Sequence, residues 1–142
     1  MIRIRDIDHV VIRARDAARL ERFYCDVIGC TVAHRQDAIG LVHLRAGRSL
    51  IDLIGVDGPL GRKGGAAPGS EAHNVDHLCL RIEPFDAEAI RRHLEAHGVR
   101  IEDSGRRYGA EGEGFSLYVS DPEGNLVELK GPPDGEDTGA AS

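Results

Sequence analysis

With 142 residues, of which 41% are hydrophobic, the chain can bury the core of one domain or of two half-domains, although aromatic residues are only 4% and tryptophan is absent. A formal net charge of -6 and a pI near 5.6 exclude electrostatic attraction to nucleic acid or to an anionic membrane as an organising function. No apolar run approaches the roughly 18 residues of a membrane span, the N-terminal stretch is too rich in Arg and Asp for a signal peptide, and Cys25, Cys30 and Cys79 form no CxxC pair. The composition therefore predicts a soluble cytoplasmic protein with reduced thiols, whose partners are small molecules or another copy of itself.

Ile7-Asp8-His9-Val10-Val11-Ile12-Arg13 is too short and too β-branched for a helix and predicts a buried strand with His9 near its entry. Asp16 is an N-cap for a helix carrying Leu20, Phe23, Tyr24, Val27 and Ile28 on one face, and Gly29 is its stop. Residues 31–35, 39–44 and 50–54 read as three strands, the last two joined across Arg45-Ala46-Gly47-Arg48, so the first half is β-α-β-β-β. Residues 55–74, with their Gly-Pro, Gly-Gly and Pro-Gly pairs and the basic Arg62-Lys63, lack any apolar period and predict a linker or a mobile flap.

The pattern then returns. Val75-Asp76-His77-Leu78-Cys79-Leu80-Arg81 repeats the first strand, Asp86 caps a helix with Ala87, Ile90 and Leu94 on one face, Gly98 ends it, and residues 99–102 start the next strand. A glycine-rich loop is expected at 108–114, and strands at 115–119 and 126–129 flank the turn Asp121-Pro122-Glu123-Gly124-Asn125. The histidines (9 and 77), the caps (16 and 86) and the helix-ending glycines (29 and 98) are offset by 68, 70 and 69 residues, an agreement that marks a duplication. The expected organisation is one domain over 1–131, with module one at 5–55, a linker at 56–74, module two at 75–131 and a disordered tail at 132–142.

Asp52 and Glu128 occupy equivalent places in the last strand of each half, each a carboxylate within an otherwise apolar run. Strand alternation puts Val10 and Ile12 on one face and His9, Val11 and Arg13 on the other; Leu78, Leu80 and Ile82 likewise oppose His77, Cys79 and Arg81. The apolar faces pack under the helices, which leaves the histidine faces to line a cavity. A buried carboxylate without a partner costs several kcal/mol, so each acid needs compensation. A hydrogen bond from the neighbouring imidazole would supply it; so would a divalent cation such as Zn²⁺, Ni²⁺, Mn²⁺ or Fe²⁺ held by His9, Asp52, His77 and Glu128. The recurrence of the pair favours the metal. His43 alternates with Leu41 and Arg45 and is either a cavity residue or a surface one, while His34, His73, His93 and His97 read as solvated. Cys79 reads as a small buried hydrophobe, and Arg13, Arg45, Arg48 and Arg81 as rim or surface residues able to meet an anionic substrate.

The paired β-α-β-β-β halves, a histidine in the first strand of each, and the ending Asp121-Pro122-Glu123-Gly124-Asn125-Leu126-Val127-Glu128 resemble the vicinal oxygen chelate superfamily, which includes glyoxalase I, extradiol dioxygenases, fosfomycin-resistance thiol transferases and bleomycin-binding proteins. The resemblance covers about residues 5–131 and implies an α+β fold: two paired βαβββ modules forming a curved, barrel-like mixed sheet with helices outside. It carries the family's metal positions onto His9, Asp52, His77 and Glu128. Asp52 departs from the Glu or Gln usual in the glyoxalase I branch and is one methylene shorter; without it, His9, His77 and Glu128 make a three-ligand set like that of the fosfomycin-modifying and non-haem iron members. The resemblance also implies a homodimer, a small-molecule substrate, and a glyoxalase I-like lyase or isomerase in which a divalent metal stabilises an enediolate while Glu128 or, second, Asp52 moves the proton. Alternatives under the same resemblance are an Fe²⁺ extradiol-type dioxygenase, a thiol transferase, and a non-catalytic drug-binding protein.

Overall fold

The computed structural model describes residues 1–134. The chain divides into two compact units, Met1–His73 and Asn74 onward. In the first, β1 (His9–Ala14), β2 (Thr31–Gln36), β3 (Leu41–Ala46) and β4 (Ser49–Gly55) form a curved four-stranded mixed sheet in the order β1-β4-β3-β2. The second repeats it with β5 (Leu78–Arg81), β6 (Asp103–Gly109), β7 (Gly112–Ser120) and β8 (Leu126–Lys130), in the order β5-β8-β7-β6. In each sheet the first strand runs parallel to the last and the other pairs are antiparallel. Parallel neighbours require a long crossover, and the helix after the first strand supplies part of it. This is the α+β fold expected of the vicinal oxygen chelate proteins.

In the first unit the Asp16 carboxylate accepts from the Arg19 amide at 3.0 Å and caps α1 (Ala17–Arg22). The expected single α-helix widens instead into a π-helical turn over Phe23–Ile28, and Gly29 stops it at φ 100°, where a side chain would be strained. Leu20 and Tyr24 are fully buried, together with Leu44, Ile51 and Leu53. Ile51 and Leu53 point to the face opposite Asp52, so the apolar side of β4 is the core side and the acid belongs to the other. In the second unit Asp86 caps α2 (Ala87–Ala96) through the Ala89 amide at 3.1 Å, and Leu94, Leu117, Val119 and Val127 form the core.

Three local expectations are corrected. Residues 99–102 are not a strand: the Val99 amide is taken by the Leu94 carbonyl at 2.9 Å to close the helix, so pairing starts only beyond it. Residues 108–114 are not a loop but the tip of the β6–β7 hairpin, with Gly109 opposite Gly112 and Arg107 opposite Gly114. Ladder pairing overrides the weak strand propensity of glycine here, and a Cβ on Gly114 would sit 2.3 Å from the Pro132 carbonyl oxygen. The stretch after β4 is also more organised than a bare linker. It contains a 3₁₀ turn over Gly61–Gly64, and the Arg13 guanidinium donates to the carbonyls of Gly61 (3.0 Å), Gly65 (2.5 Å) and Ala66 (3.3 Å), while Arg15 donates to Pro68 (2.9 Å).

Beyond β8, the Asp134 amide donates to the Glu113 carbonyl at 3.1 Å and its carboxylate accepts from Arg106 at 2.7 and 2.8 Å. The remainder of the expected tail, 135–142, lies outside the described residues. Among the described residues, no helix is long and apolar enough to cross a membrane.

Candidate functional site

Each sheet carries its polar residues on the face away from its core. In the first, His9 stands at the start of β1, and the parallel register sets Val11 beside Asp52. His9 Nδ1 donates to the Asp8 carboxylate at 2.7 Å, and its Nε2 lies 3.9 Å from Asp52 Oδ2. That hydrogen bond from His9 to Asp8 is the main cause lifting the ring above the usual histidine pKa; partial burial opposes it and the charge of Asp52 adds to it. Asp52 is only 2% exposed, in a strand with neighbours on both sides. Its other oxygen, Oδ1, accepts from His43 Nδ1 at 2.9 Å, because β3 sets His43 directly opposite Asp52.

His43 therefore belongs to the site and not to the surface. A register shift between Val32 and His34 brings His34 opposite His43, and the two rings stack at 5.8 Å. His34, expected to be simply solvated, is exposed but lies on a strand against this cluster. The Gln36 amide nitrogen is 2.9 Å from His43 Nε2.

The second sheet holds the matching pair more tightly. His77 Nδ1 donates to Asp76 at 2.7 Å, and Nε2 is 3.0 Å from Glu128 Oε1. Ser116 Oγ donates to Glu128 Oε2 at 2.6 Å, and β7 sets Tyr118 directly opposite Glu128 across the ladder. Burial works to raise the Glu128 carboxyl, but the Ser116 and Tyr118 hydroxyls and the His77 ring outweigh it and hold it below the ordinary carboxylate value. The Tyr118 ring stands edge-on to His77 at 5.6 Å, with the Arg107 guanidinium 5.5 Å from its centroid.

Cys79 pairs with Glu128 across β5 and β8 and is exposed, not the buried hydrophobe expected. Crowding by the protein, then the Glu128 charge, push its thiol up to about 11. The arginines expected at the rim are largely committed. Arg13 is spent on carbonyls, Arg81 on Glu111 at 2.8 Å and on the Ile82 carbonyl at 2.5 Å, and Arg48 on Asp6 at 3.3 Å.

Sequence reasoning passed over Ser116 and Tyr118, although they alternate on β7 and a signal was available: both share the face of the residue opposite Glu128. Lys130, two residues beyond Glu128, was also passed over. It is 5% exposed and donates to the carbonyls of Arg107 and Gly114. The Asp-Pro-Glu-Gly-Asn stretch has a structural role: Asp121 accepts from the amides of Glu123 and Asn125, both at 2.9 Å, and from the Asn125 side chain at 2.7 Å.

The donor set has a specific chemical requirement. A neutral imidazole has one N–H, and in each unit Nδ1 uses it on the preceding aspartate. The remaining nitrogen then turns a lone pair toward a second carboxylate, an arrangement that needs a cation in between, either a proton or a metal ion. His9 with Asp52 and His77 with Glu128 fit a divalent metal in this sense. Among the described residues of either unit, no three His, Cys, Asp or Glu side chains are grouped to hold a metal, so each unit offers a pair.

A duplicated βαβββ protein with one imidazole–carboxylate pair per module is the class that fold and site define. Residues 6–129 match the family model of the Glyoxalase/Bleomycin resistance protein/Dioxygenase superfamily, and the chain belongs to that family. It is 30% identical over 135 residues to the glyoxalase domain-containing protein RDO1 of Mycosarcoma maydis, covering 89% of this chain and 68% of that protein. It is also 30% identical over 125 residues to virulence protein STM3117 of Salmonella typhimurium, covering 87% and 81%. The crystal structure of STM3117 superposes with a TM-score of 0.75 over 92% of this chain and 99% of that one, at 24% identity. A lactoylglutathione lyase from Agrobacterium tumefaciens shares the fold at a TM-score of 0.65 and 22% identity, covering 90% and 94%.

Proposed function

We propose that the protein is a divalent-metal-dependent enzyme of the glyoxalase I type, a lyase or isomerase acting on a small substrate with two adjacent oxygens, and that His9, Asp52, His77 and Glu128 hold the metal. The observation that carries this is the carboxylate found at both nitrogens of His9 and of His77. The aspartate on Nδ1 fixes the tautomer and leaves Nε2 as the ligand, the usual outer-shell arrangement of a metal-bound histidine. A pair supplies two donors, and a cation of four or more ligands needs two such pairs.

When bound, the metal, Zn²⁺, Ni²⁺, Mn²⁺ or Fe²⁺, would polarise the substrate oxygens and lower the cost of removing a proton from the adjacent carbon. The chain's own residues divide the remaining work. Glu128 has Oε2 bound by Ser116 and Oε1 beside His77, an environment that favours its anion and suits a fixed ligand. Asp52 has Oδ1 on His43 and, among the described residues, no hydrogen-bond donor within reach on Oδ2, so Oδ2 is the better placed atom to take and return a proton when it leaves the metal. We therefore assign the proton-carrying role to Asp52 ahead of Glu128, the reverse of the order expected from the sequence. A small-molecule substrate and a homodimeric assembly belong to the same proposal and are supported by family membership; a cytoplasmic setting belongs to it too, in keeping with three free cysteines.

Metal analysis of freshly purified protein, followed by turnover of a methylglyoxal–glutathione mixture after Zn²⁺ or Ni²⁺ addition, tests it. Stoichiometric metal that His77→Ala abolishes, with metal-dependent turnover, supports the reading; no metal and no turnover removes it.

A further inference from the structure

We propose that His43 is a positioning residue of the first module: held as its Nδ1–H tautomer by Gln36, it fixes the Asp52 carboxylate with Oδ2 turned toward His9. The inference rests on the metal reading above. Asp52 is almost completely buried, yet the partners of its carboxylate are few, His43 on Oδ1 at 2.9 Å and His9 at 3.9 Å from Oδ2. A carboxylate turns freely about its last torsion unless one oxygen is held, and in β4 the holding group is the imidazole directly across the ladder. Gln36 determines which nitrogen of His43 carries the proton. Its amide nitrogen, 2.9 Å from Nε2, donates, so Nε2 accepts and the hydrogen resides on Nδ1, facing Asp52. His34, stacked at 5.8 Å with the planes 22° apart, restricts tilting of the ring.

The duplication supports the assignment independently. In the second unit the residue at the equivalent place across the ladder is Tyr118, and the donor to the acid, Ser116, lies two residues before it on the same strand and face. Both modules therefore supply their carboxylate with a hydrogen-bond donor from the neighbouring strand, with different chemistry: an imidazole in the first, the Ser116 hydroxyl in the second. Asp52, a methylene shorter than Glu128, reaches less far from the strand, and a single rigid donor suffices to aim it.

Two measurements on the full chain test the proposal. In metal-free wild-type protein, long-range ¹H–¹⁵N correlation spectra should show His43 as the Nδ1–H tautomer; an Nε2–H ring or a rapidly exchanging mixture overturns the inference without reference to any variant. Zn²⁺ affinity, measured by competition with a chromophoric chelator, should fall about 10–100-fold in His43→Ala, the loss typical when an outer-shell partner is removed. His43→Asn, whose side-chain amide offers a donor where Nδ1 stood, should recover most of that loss. Equal affinities of wild type and His43→Ala, or equal losses in both variants, overturn the positioning role while leaving the metal reading intact. Wild-type protein that binds no Zn²⁺ overturns both.

Discussion

Replacing Ser116 with alanine isolates what holds Glu128 in its ionised form. The hydroxyl donates at 2.6 Å to Glu128 Oε2, Ser116 is 0% exposed and Glu128 4%, so no solvent molecule replaces the lost donor without rearrangement. A hydrogen bond to a charged group contributes about 1.5–3 kcal/mol, and Ser116→Ala should lose about that much at neutral pH. The pH dependence follows from the direction of the Glu128 shift. Its folded-state pKa is depressed below the ordinary glutamate value of 4.5, so the stability linked to its ionisation is fully present above that value and is lost as pH falls through the folded pKa. Once Glu128 is protonated in both states, the charge-assisted part of the bond is gone, and the gap between wild type and variant should shrink to the roughly 0.5–1.5 kcal/mol of a neutral bond. Urea unfolding of both proteins near neutral pH and again below the folded pKa measures the two gaps. A gap that stays constant across that range, or one below about 0.5 kcal/mol at neutral pH, would refute the claim that Ser116 stabilises an anion.

Other consequences are equally measurable. Burial pushes the Cys30 thiol up to about 11, so near pH 8 only about 0.1% is thiolate and iodoacetamide should label Cys30 roughly 100-fold more slowly than an unperturbed thiol; labelling at the free-thiol rate contradicts this. Arg13→Met removes three bonds to the carbonyls of Gly61, Gly65 and Ala66, and limited proteolysis followed by mass spectrometry should then show faster cleavage within 61–68. Leu20→Ala, at a 0% exposed position, should cost about 2–5 kcal/mol of stability by urea unfolding, with the larger values expected if the cavity stays open.

Much of the architecture was written in local patterns. Asp16 and Asp86 cap their helices because a short acceptor just before an apolar helical face can reach the third amide along, a matter of a few adjacent residues. The 99–102 and 108–114 assignments failed for the opposite reason. Whether Val99 or Gly114 lies in a strand is set by the Leu94 carbonyl that closes the helix and by hairpin pairing with Arg107, and residue type at 99 or 114 does not reveal either contact.

The sequence by itself determined the duplication, the imidazole at the entry of each first strand, and the acid within each apolar last strand, because a period-two pattern and a repeat spacing survive in one dimension. It also contained the Asp8–His9 and Asp76–His77 pairs, whose contacts join neighbours in the chain. Only the tertiary structure decided what holds each acid: His43 for Asp52, and Ser116 for Glu128 with Tyr118 set opposite it. Those partners lie across a ladder, and turn length and bulges such as the shift between Val32 and His34 set the register. A one-residue slip would turn His43 or Tyr118 to the opposite face of the sheet, so the neighbours of a buried carboxylate are a property of strand pairing and not of spacing along the chain.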